Sequence, residues 1–298
     1  MGKMDEDRSS AKLALASFAR EKGYKKAHVI VHEGEAYVFC VIVKTINPGE
    51  LRVSIESVLE ENVPIPPSEA VFEFDVLDVD RVRGETLVAV SVVSEKTLVN
   101  YVDLFTSAGI YPVSFDTEAR ALSRALFSPS DMSTRVVISV GKNHTTAFIA
   151  QGGAVVFSSS IDVGSVDIDA SVAKAFGISV EEAEVMKDAK GFEGENEDPK
   201  LFVAMSPVLS IIREELTKVL VYWKSQGRKE RDLKEISEII LCGRDSSLSG
   251  FSRYLSAHSK LPVRLGSVWT GVPLPEGVVP ELSLEDSLDY GSVIGGLI

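Results

Sequence analysis

The chain has 298 residues, 45% hydrophobic and 25% charged, with a formal net charge of −13. This composition suits a globular protein with a full core, and the acidic balance disfavours nucleic acid and anionic lipid as direct partners. The longest apolar run, Tyr37 to Val43, is far too short to cross a bilayer, and Met1 to Asp7 lacks a secretory apolar segment, so a cytoplasmic location is expected.

Helical spacing of Leu13, Ala14 and Phe18 predicts a helix over Ala11 to Lys22, closed by Gly23. His28 to His32 and Ala36 to Val43 read as a hairpin around Glu33-Gly34-Glu35. Glu50 to Glu61 reads as a helix stopped by Pro64-Ile65-Pro66-Pro67. Val71 to Leu77 and Thr86 to Val93 read as strands, and Ser94 caps a helix that runs to Ala108 and closes at Gly109. A short strand, Tyr111 to Ser114, then precedes Asp116 and a helix from about Thr117 to Leu126, with Ser128-Pro129-Ser130-Asp131 as a linker.

Three apolar strands follow with glycine-bearing turns between them: Val136 to Val140, Thr145 to Ala150 and Val155 to Ser160. A strand, a polar glycine elbow such as Gly141-Lys142-Asn143-His144 and a return strand form a device that presents backbone N–H groups to a phosphate. Val166 to Phe176 reads as a helix ending at Gly177. Ser179 and Glu182 form a capping box for the next helix. Beyond the acidic loop Gly191 to Asp198, Ser206 and Pro207 are expected to open a long helix reaching Gln226. Its stripe of Val208, Leu209, Ile212, Leu216, Val219, Leu220 and Trp223 reads as core packing. Ile236 to Leu241 is a strand leading into a second glycine elbow, Leu241 to Gly250; a helix from Gly250 to His258 and a strand at Val263 to Leu265 complete the pattern.

Cys40 and Cys242 stand beside apolar strand residues and read as reduced, buried thiols. His28, His32, His144 and His258 make no metal-ligand spacing with them, and no metal site is expected.

Several segments carry a resemblance in order along nearly the whole chain. They are Val63-Pro64-Ile65-Pro66, Tyr101 to Tyr111, Phe115 to Leu122, Phe176 to Glu184, Glu214 to Ser225 and Leu261-Pro262-Val263. Together they make the chain resemble the PilM family, actin-like proteins of type IV pilus inner-membrane assembly that are related to the cell-division protein FtsA. The resemblance implies an α/β (α+β) chain with the actin-like ATPase fold. Two ribonuclease H-like lobes face each other, and the first carries an inserted FtsA/PilM-type subdomain. The implied division is 1–26 as a remnant of the first lobe, 27–111 as an inserted βαββα subdomain, 112–133 as the return to the first lobe, and 134–298 as the second lobe. Within the second lobe, about 165–234 would be a helical subdomain and 236–266 the adenosine-elbow region.

The family binds ATP with magnesium between its lobes, and the matching positions here are altered. The family begins with a hairpin carrying a first phosphate loop, whereas this sequence opens with a polar segment and a helix. The expectation is a start upstream of Met1, or a reduced lobe whose sheet edge a partner covers. In the second loop Ser139 stands where an acidic residue would help hold hydrated magnesium, ahead of Gly141. Thr145 and Thr146 keep hydroxyls near the expected phosphate edge. Asp116, with Glu118, either orients magnesium-bound water or begins the helix as its N-cap.

In the adenosine elbow, Gly243 is followed by Arg244, whose side chain either fills the purine space or stacks on the ring. Glu215 and Lys218 match helix positions near ribose and base, but on an ordinary helix they read first as solvated charges. Hydrolysis at a useful rate is not expected from such a set. No Gly-x-Ser-x-Gly elbow, Walker loop or zinc-type helix motif offers another chemistry, and Asp162, Asp167 and Asp169 read as acids favoured at a turn and helix start.

The resemblance also implies a partner: the N-terminal cytoplasmic tail of a PilN-like membrane protein, held in a groove of the first lobe, with other pilus inner-membrane assembly proteins alongside. The protein would then be a cytoplasmic scaffold, peripheral at the inner membrane and not inserted in it, with self-association left open. Two other functions stay open: a working ATPase or kinase of the same superfold, and an FtsA-like filament or tether. Against the tether, Gly295-Gly296-Leu297-Ile298 carries no basic amphipathic stretch.

Overall fold

Among the described residues the strands form three separate sheets, and helices of 3.6-residue period fill the layers around them. The structure, a computed structural model, describes residues 2–193, 197–226, 234–275 and 277–298. The first part of the chain runs α1 (Gly2–Lys22), β1 (Lys26–Val31), β2 (Ala36–Val43), α2 (Pro48–Glu56), α3 (Leu59–Asn62), β3 (Ala70–Asp80), β4 (Glu85–Ser94), α4 (Glu95–Ser107), β5 (Tyr111–Thr117) and α5 (Glu118–Leu126). The second runs β6 (Thr134–Val140), β7 (Thr145–Gln151), β8 (Ala154–Ile161), α6 (Ser165–Phe176), α7 (Val180–Lys190), α8 (Pro199–Gln226), β9 (Ile236–Gly243), α9 (Phe251–Ser259), β10 (Val263–Leu265), α10 (Leu284–Ser287) and α11 (Gly291–Gly295).

The largest sheet has the order β10-β9-β6-β7-β8, with β6 antiparallel to β7 and parallel to β9. Its central strands are buried on both faces, which is why they read as almost unbroken apolar runs. Val136, Ile138, Val140 and Ile149 pack with Leu209, Ile212, Leu216 and Val219 of α8. Val137, Phe148, Ile240 and Cys242 pack instead with Ala119, Leu122, Ala125 and Leu126 of α5.

A small parallel sheet, β1 with β5, lies on the far side of α5 and α11, so those two helices form the layer between it and the large sheet. A third, antiparallel sheet of order β2-β4-β3 carries α2 and α3 on one face, where Leu51, Ile55 and Leu59 meet Phe39, Val88 and Val90. Its β2 lies along β8, the edge of the large sheet, and the Cys40 thiol donates to the Val156 carbonyl at 3.4 Å.

Several expectations change. The hairpin expected from His28–His32 and Ala36–Val43 does not form: β1 pairs with β5 and β2 with β4, while Glu33–Glu35 makes a 3-10 turn that sends the chain from one sheet to the other. The three-stranded sheet therefore starts at Ala36, and 26–31 lies with 111–117, whereas the sequence division put the inserted segment at 27–111. The helix expected over Glu50–Glu61 is two, interrupted at Ser57–Val58. The strand at Tyr111 runs to Thr117 because β1 supplies a partner along that length.

Ser206-Pro207 does not open a helix. Asp198 does, its carboxylate accepting the Leu201 N–H at 3.1 Å ahead of Pro199, and Pro207 sits inside α8. Both sites have a capping residue followed by proline, and only the first follows a non-helical stretch. The proline removes one N–H bond toward Val203, which is exposed to water, so the interruption is tolerated. Of the acidic loop 191–198, residues 194–196 lie outside the described residues, as do 227–233 of the span 165–234. The capping box of Ser179 and Glu182 is present with both bonds, and Ser94 caps α4.

The layer of α5 and α11 depends on Gly295, where an added Cβ would lie 1.7 Å from the Ala121 carbonyl oxygen. Gly295→Ala is expected to destabilise the fold by about 1–3 kcal/mol through overpacking. A urea midpoint lower than wild type would register it; an unchanged midpoint would show that the helices can separate freely.

Candidate functional site

The two glycine elbows, a hundred residues apart in sequence, emerge side by side. β6 and β9 are neighbouring parallel strands in which Val140 is the register partner of Gly243, so both turns leave the same end of the sheet. Gly243 has φ +86°, and a Cβ there would stand 2.4 Å from the Val140 carbonyl oxygen. Only glycine meets both demands. The first turn is anchored by α6: Ser165 and Val166 donate their N–H groups to the Gly141 and Lys142 carbonyls at 3.0 and 3.1 Å.

Beneath the second elbow lies a buried charge cluster. Lys187 of α7 is fully buried, with Nζ 2.8 Å from both carboxylate oxygens of Asp245 and 2.9 Å from Asp169 Oδ1. Burial pulls the Lys187 pKa down, but Asp245 and Asp169 more than offset this and hold it above the usual lysine range. Burial pushes Asp169 up in spite of its ammonium partner. The cluster ties the elbow to α6 and α7, so Asp169 is a structural ion-pair partner and not the helix-start acid expected. Asp167 does fill that role, accepting the Gly164 N–H at 2.9 Å.

The remaining residues singled out from the sequence have protein partners. The Thr145 hydroxyl donates to the Val163 carbonyl at 2.7 Å. Ser139 is buried on the face of β6 that carries Val137, between Thr146 and Cys242 in the ladder. Asp116 is not the cap of α5; Thr117 is, and the Asp116 carboxylate pairs with Arg120 and Arg124. Arg244 pairs with Glu184 of α7. Glu215 and Lys218 pair with each other at 3.0 Å, and among the described residues no hydrogen bond joins either to the elbows.

Glu118, on the first turn of α5, reaches across to the second phosphate-type turn. Its Oε2 accepts from His144 Nε2 and from the Thr146 hydroxyl, both at 2.9 Å. Both donors are thus held by a carboxylate of the same chain. Glu33 is also buried beside this turn, and neither its position nor the Lys187 cluster was foreseen. The only sequence signals were a lone acid in an apolar neighbourhood and a lysine on the inner face of a helix. With Ser139 in place of an acid and these bonds made, the residues present do not fit a magnesium–triphosphate group.

A second concavity, of about 200 Å³, opens between the small sheet and the inserted one. Val31, Val71, Val93, Leu98 and Phe115 supply apolar walls, with Ser91, Thr117 and Arg120 among the polar groups. Arg120 Nη1 bonds Asp75 of β3 at 2.8 Å, tying the inserted sheet to α5.

A family model described as "Type IV pilus assembly protein PilM" matches residues 9–296. The chain belongs to the PilM family. A solved structure described as the "PilM-PilN type IV pilus biogenesis complex" superposes with a TM-score of 0.71 at 17% identity, covering 97% of this chain and 84% of that one. MreB5 of Spiroplasma citri bound to ADP gives a TM-score of 0.52 at 16% identity, over 68% of this chain and 64% of that one. Its AMPPNP-bound form gives 0.52 at 15% identity, over 68% and 63%. The fold expected from the sequence, actin-like and of mixed α/β class, is the one found.

Removing the buried ammonium leaves two carboxylates facing each other. Lys187→Met is expected to cost about 3–5 kcal/mol at neutral pH. Without the cation the two buried carboxylates repel each other when charged, so the lost stability is largest at high pH and recovers as pH falls. Urea unfolding of the variant at two pH values checks both the size and the sign.

Proposed function

We propose that this chain is a scaffold of type IV pilus assembly that holds the cytoplasmic tail of a PilN-like membrane protein in the concavity between β1, β5 and the β2-β4-β3 sheet. The observation that carries this is the form of that concavity. At about 200 Å³ it is below the roughly 300–1,000 Å³ of most small-molecule sites, and suits one or two side chains of a bound segment. Val71 to Glu73 of β3 form one wall, and β3 is an edge strand paired only with β4. An extended tail can therefore add main-chain hydrogen bonds to that edge while setting alternate side chains into the apolar pocket. Family membership and the likeness to a PilM–PilN complex support the same occupant.

The protein reaches the membrane through this partner: among the described residues no helix is long and apolar enough to cross one. The nucleotide site is a relic. Support comes from the bonds that occupy Thr145, Thr146, His144 and Arg244, and from Ser139 in place of a magnesium-holding acid. Other pilus inner-membrane proteins join through surfaces outside the groove.

A fluorescent peptide of the matched tail should bind saturably without nucleotide. Ser91→Leu, which fills the pocket, should weaken it by roughly tenfold or more, about 1.4 kcal/mol. Binding that appears only with ATP, or is indifferent to Ser91→Leu, would count against the groove. In a phosphate-release assay the protein should not exceed the blank; steady turnover would revive the ATPase.

A further inference from the structure

The turn between β1 and β2 inserts into the crevice between the small sheet and the large one, and it carries a carboxyl group in with it. Glu33 is 2% exposed. Its Oε2 accepts the Ala119 N–H at 2.8 Å, and its Oε1 has no hydrogen-bond partner among the described residues. Next to Ala119 on α5, Glu118 holds His144 and Thr146 of the large sheet. The His32 ring lies edge-on to His144, with centroids 4.2 Å apart, and its Nδ1 accepts the Gly34 N–H at 3.0 Å.

The charges around this junction are mostly of one sign. Glu33 faces Glu118 of α5, Asp116 of β5 and the Ser158 hydroxyl of β8. His144 faces Glu118, Glu33 and Asp162, which follows β8. His32 faces His144, Glu118, Glu35 and Asp162, with Tyr101 of α4 against its backbone N–H at 3.4 Å. The arginines nearest in the chain, Arg120 and Arg124, are drawn to Asp116. The cation that balances Glu118 is therefore a titratable histidine and not a permanent charge.

We propose that Glu33, Glu118 and His144 form a proton-operated latch between the small-sheet half and the large sheet, closed when Glu33 is neutral and His144 is charged. The neutral acid puts no charge into a buried site and gains an O–H donor on the oxygen that otherwise lacks a partner. The charged imidazole strengthens the bond that crosses the crevice.

The titration directions agree with this. Burial, with added repulsion from Glu118 and Asp116, outweighs the nearby Ser158 hydroxyl and the Ala119 N–H bond and lifts the Glu33 carboxyl to about 7. The bond to Glu118 raises His144 above its ordinary 6.5 despite burial. Both groups sit above their ordinary values in the folded protein. Their stabilisation is therefore complete at low pH and lost as pH rises through the folded values. His32 acts oppositely: burial and His144 lower it, so its contribution is lost on the acid side. The latch is tightest in mildly acidic solution and loosens as pH rises through neutrality.

Amide hydrogen exchange of the full chain, corrected for intrinsic rates, tests this between about pH 5.5 and pH 8.5. Protection of segments 117–121 and 141–146 should fall together by roughly tenfold or more as pH rises, while that of 209–223 in α8 holds. Glu33→Gln is permanently neutral and should keep both segments protected at the alkaline end. His144→Gln retains a donor toward Glu118 but cannot titrate, and should flatten the response; it decides the matter if Glu33→Gln does not fold. Wild-type protection that is independent of pH, or a wild-type response in whichever variant folds, overturns the latch.

Discussion

Helix α5 is the constraint on which the rest of the molecule rests. It has to pack on the large sheet through Ala119, Leu122, Ala125 and Leu126, touch α11 through Ala121, and support the small sheet, all within nine residues. Alanine at three of those positions keeps the helix thin enough for the layers to approach, and Leu122 and Leu126 supply the apolar area that holds them. Its first turn carries the polar contacts. Thr117 and Arg120 look into the groove, and Glu118 and Ala119 hold the crevice on the other side. One turn of helix thus serves both the groove and the crevice.

Around that helix the polar groups near the two elbows are turned inward. The elbows still meet at one sheet end, and glycine is still required at Gly243 because the neighbouring backbone lies so close. The polar side chains around them satisfy one another: Thr145 with a carbonyl, Thr146 and His144 with Glu118, Arg244 with Glu184, Asp245 with Lys187. A buried ammonium between two carboxylates holds one arrangement of the loop.

Local features were legible in the sequence, and long-range choices were not. The strands β6, β7 and β8 were clear because apolar runs bounded by Gly141 and Gly152-Gly153 leave few alternatives. The caps at Ser94 and Ser179 were clear because each acts within three residues. Which strands pair depends on packing far along the chain, and β1 ignores its neighbour β2 for a strand some eighty residues away. Pro207 misled because a capping serine before proline looks the same inside a helix as at its start, and only burial of the flanking turns distinguishes them. The cluster of Asp169, Lys187 and Asp245 was invisible for a related reason. Each residue alone is an ordinary charge, and the sheet and two helices must be in place before they meet. Of the positions taken from the family pattern, Ser139, Gly141, Thr145, Gly243 and Arg244 do gather near one sheet end, whereas Glu215 and Lys218 bond to neither elbow.

The register of β2 with β4 has a consequence for how this architecture can change. Ala36 and Val93 are direct partners, so the chain enters and leaves the inserted sheet at one place. Without that excursion, β1, α4 and β5 would make a plain strand–helix–strand crossover, the commonest unit of parallel sheets. Closing a longer or shorter excursion costs little, about 0.6 kcal/mol for each doubling of its length. The segment that walls the groove is therefore a detachable module. Its length and content can change while the crossover beneath stays intact.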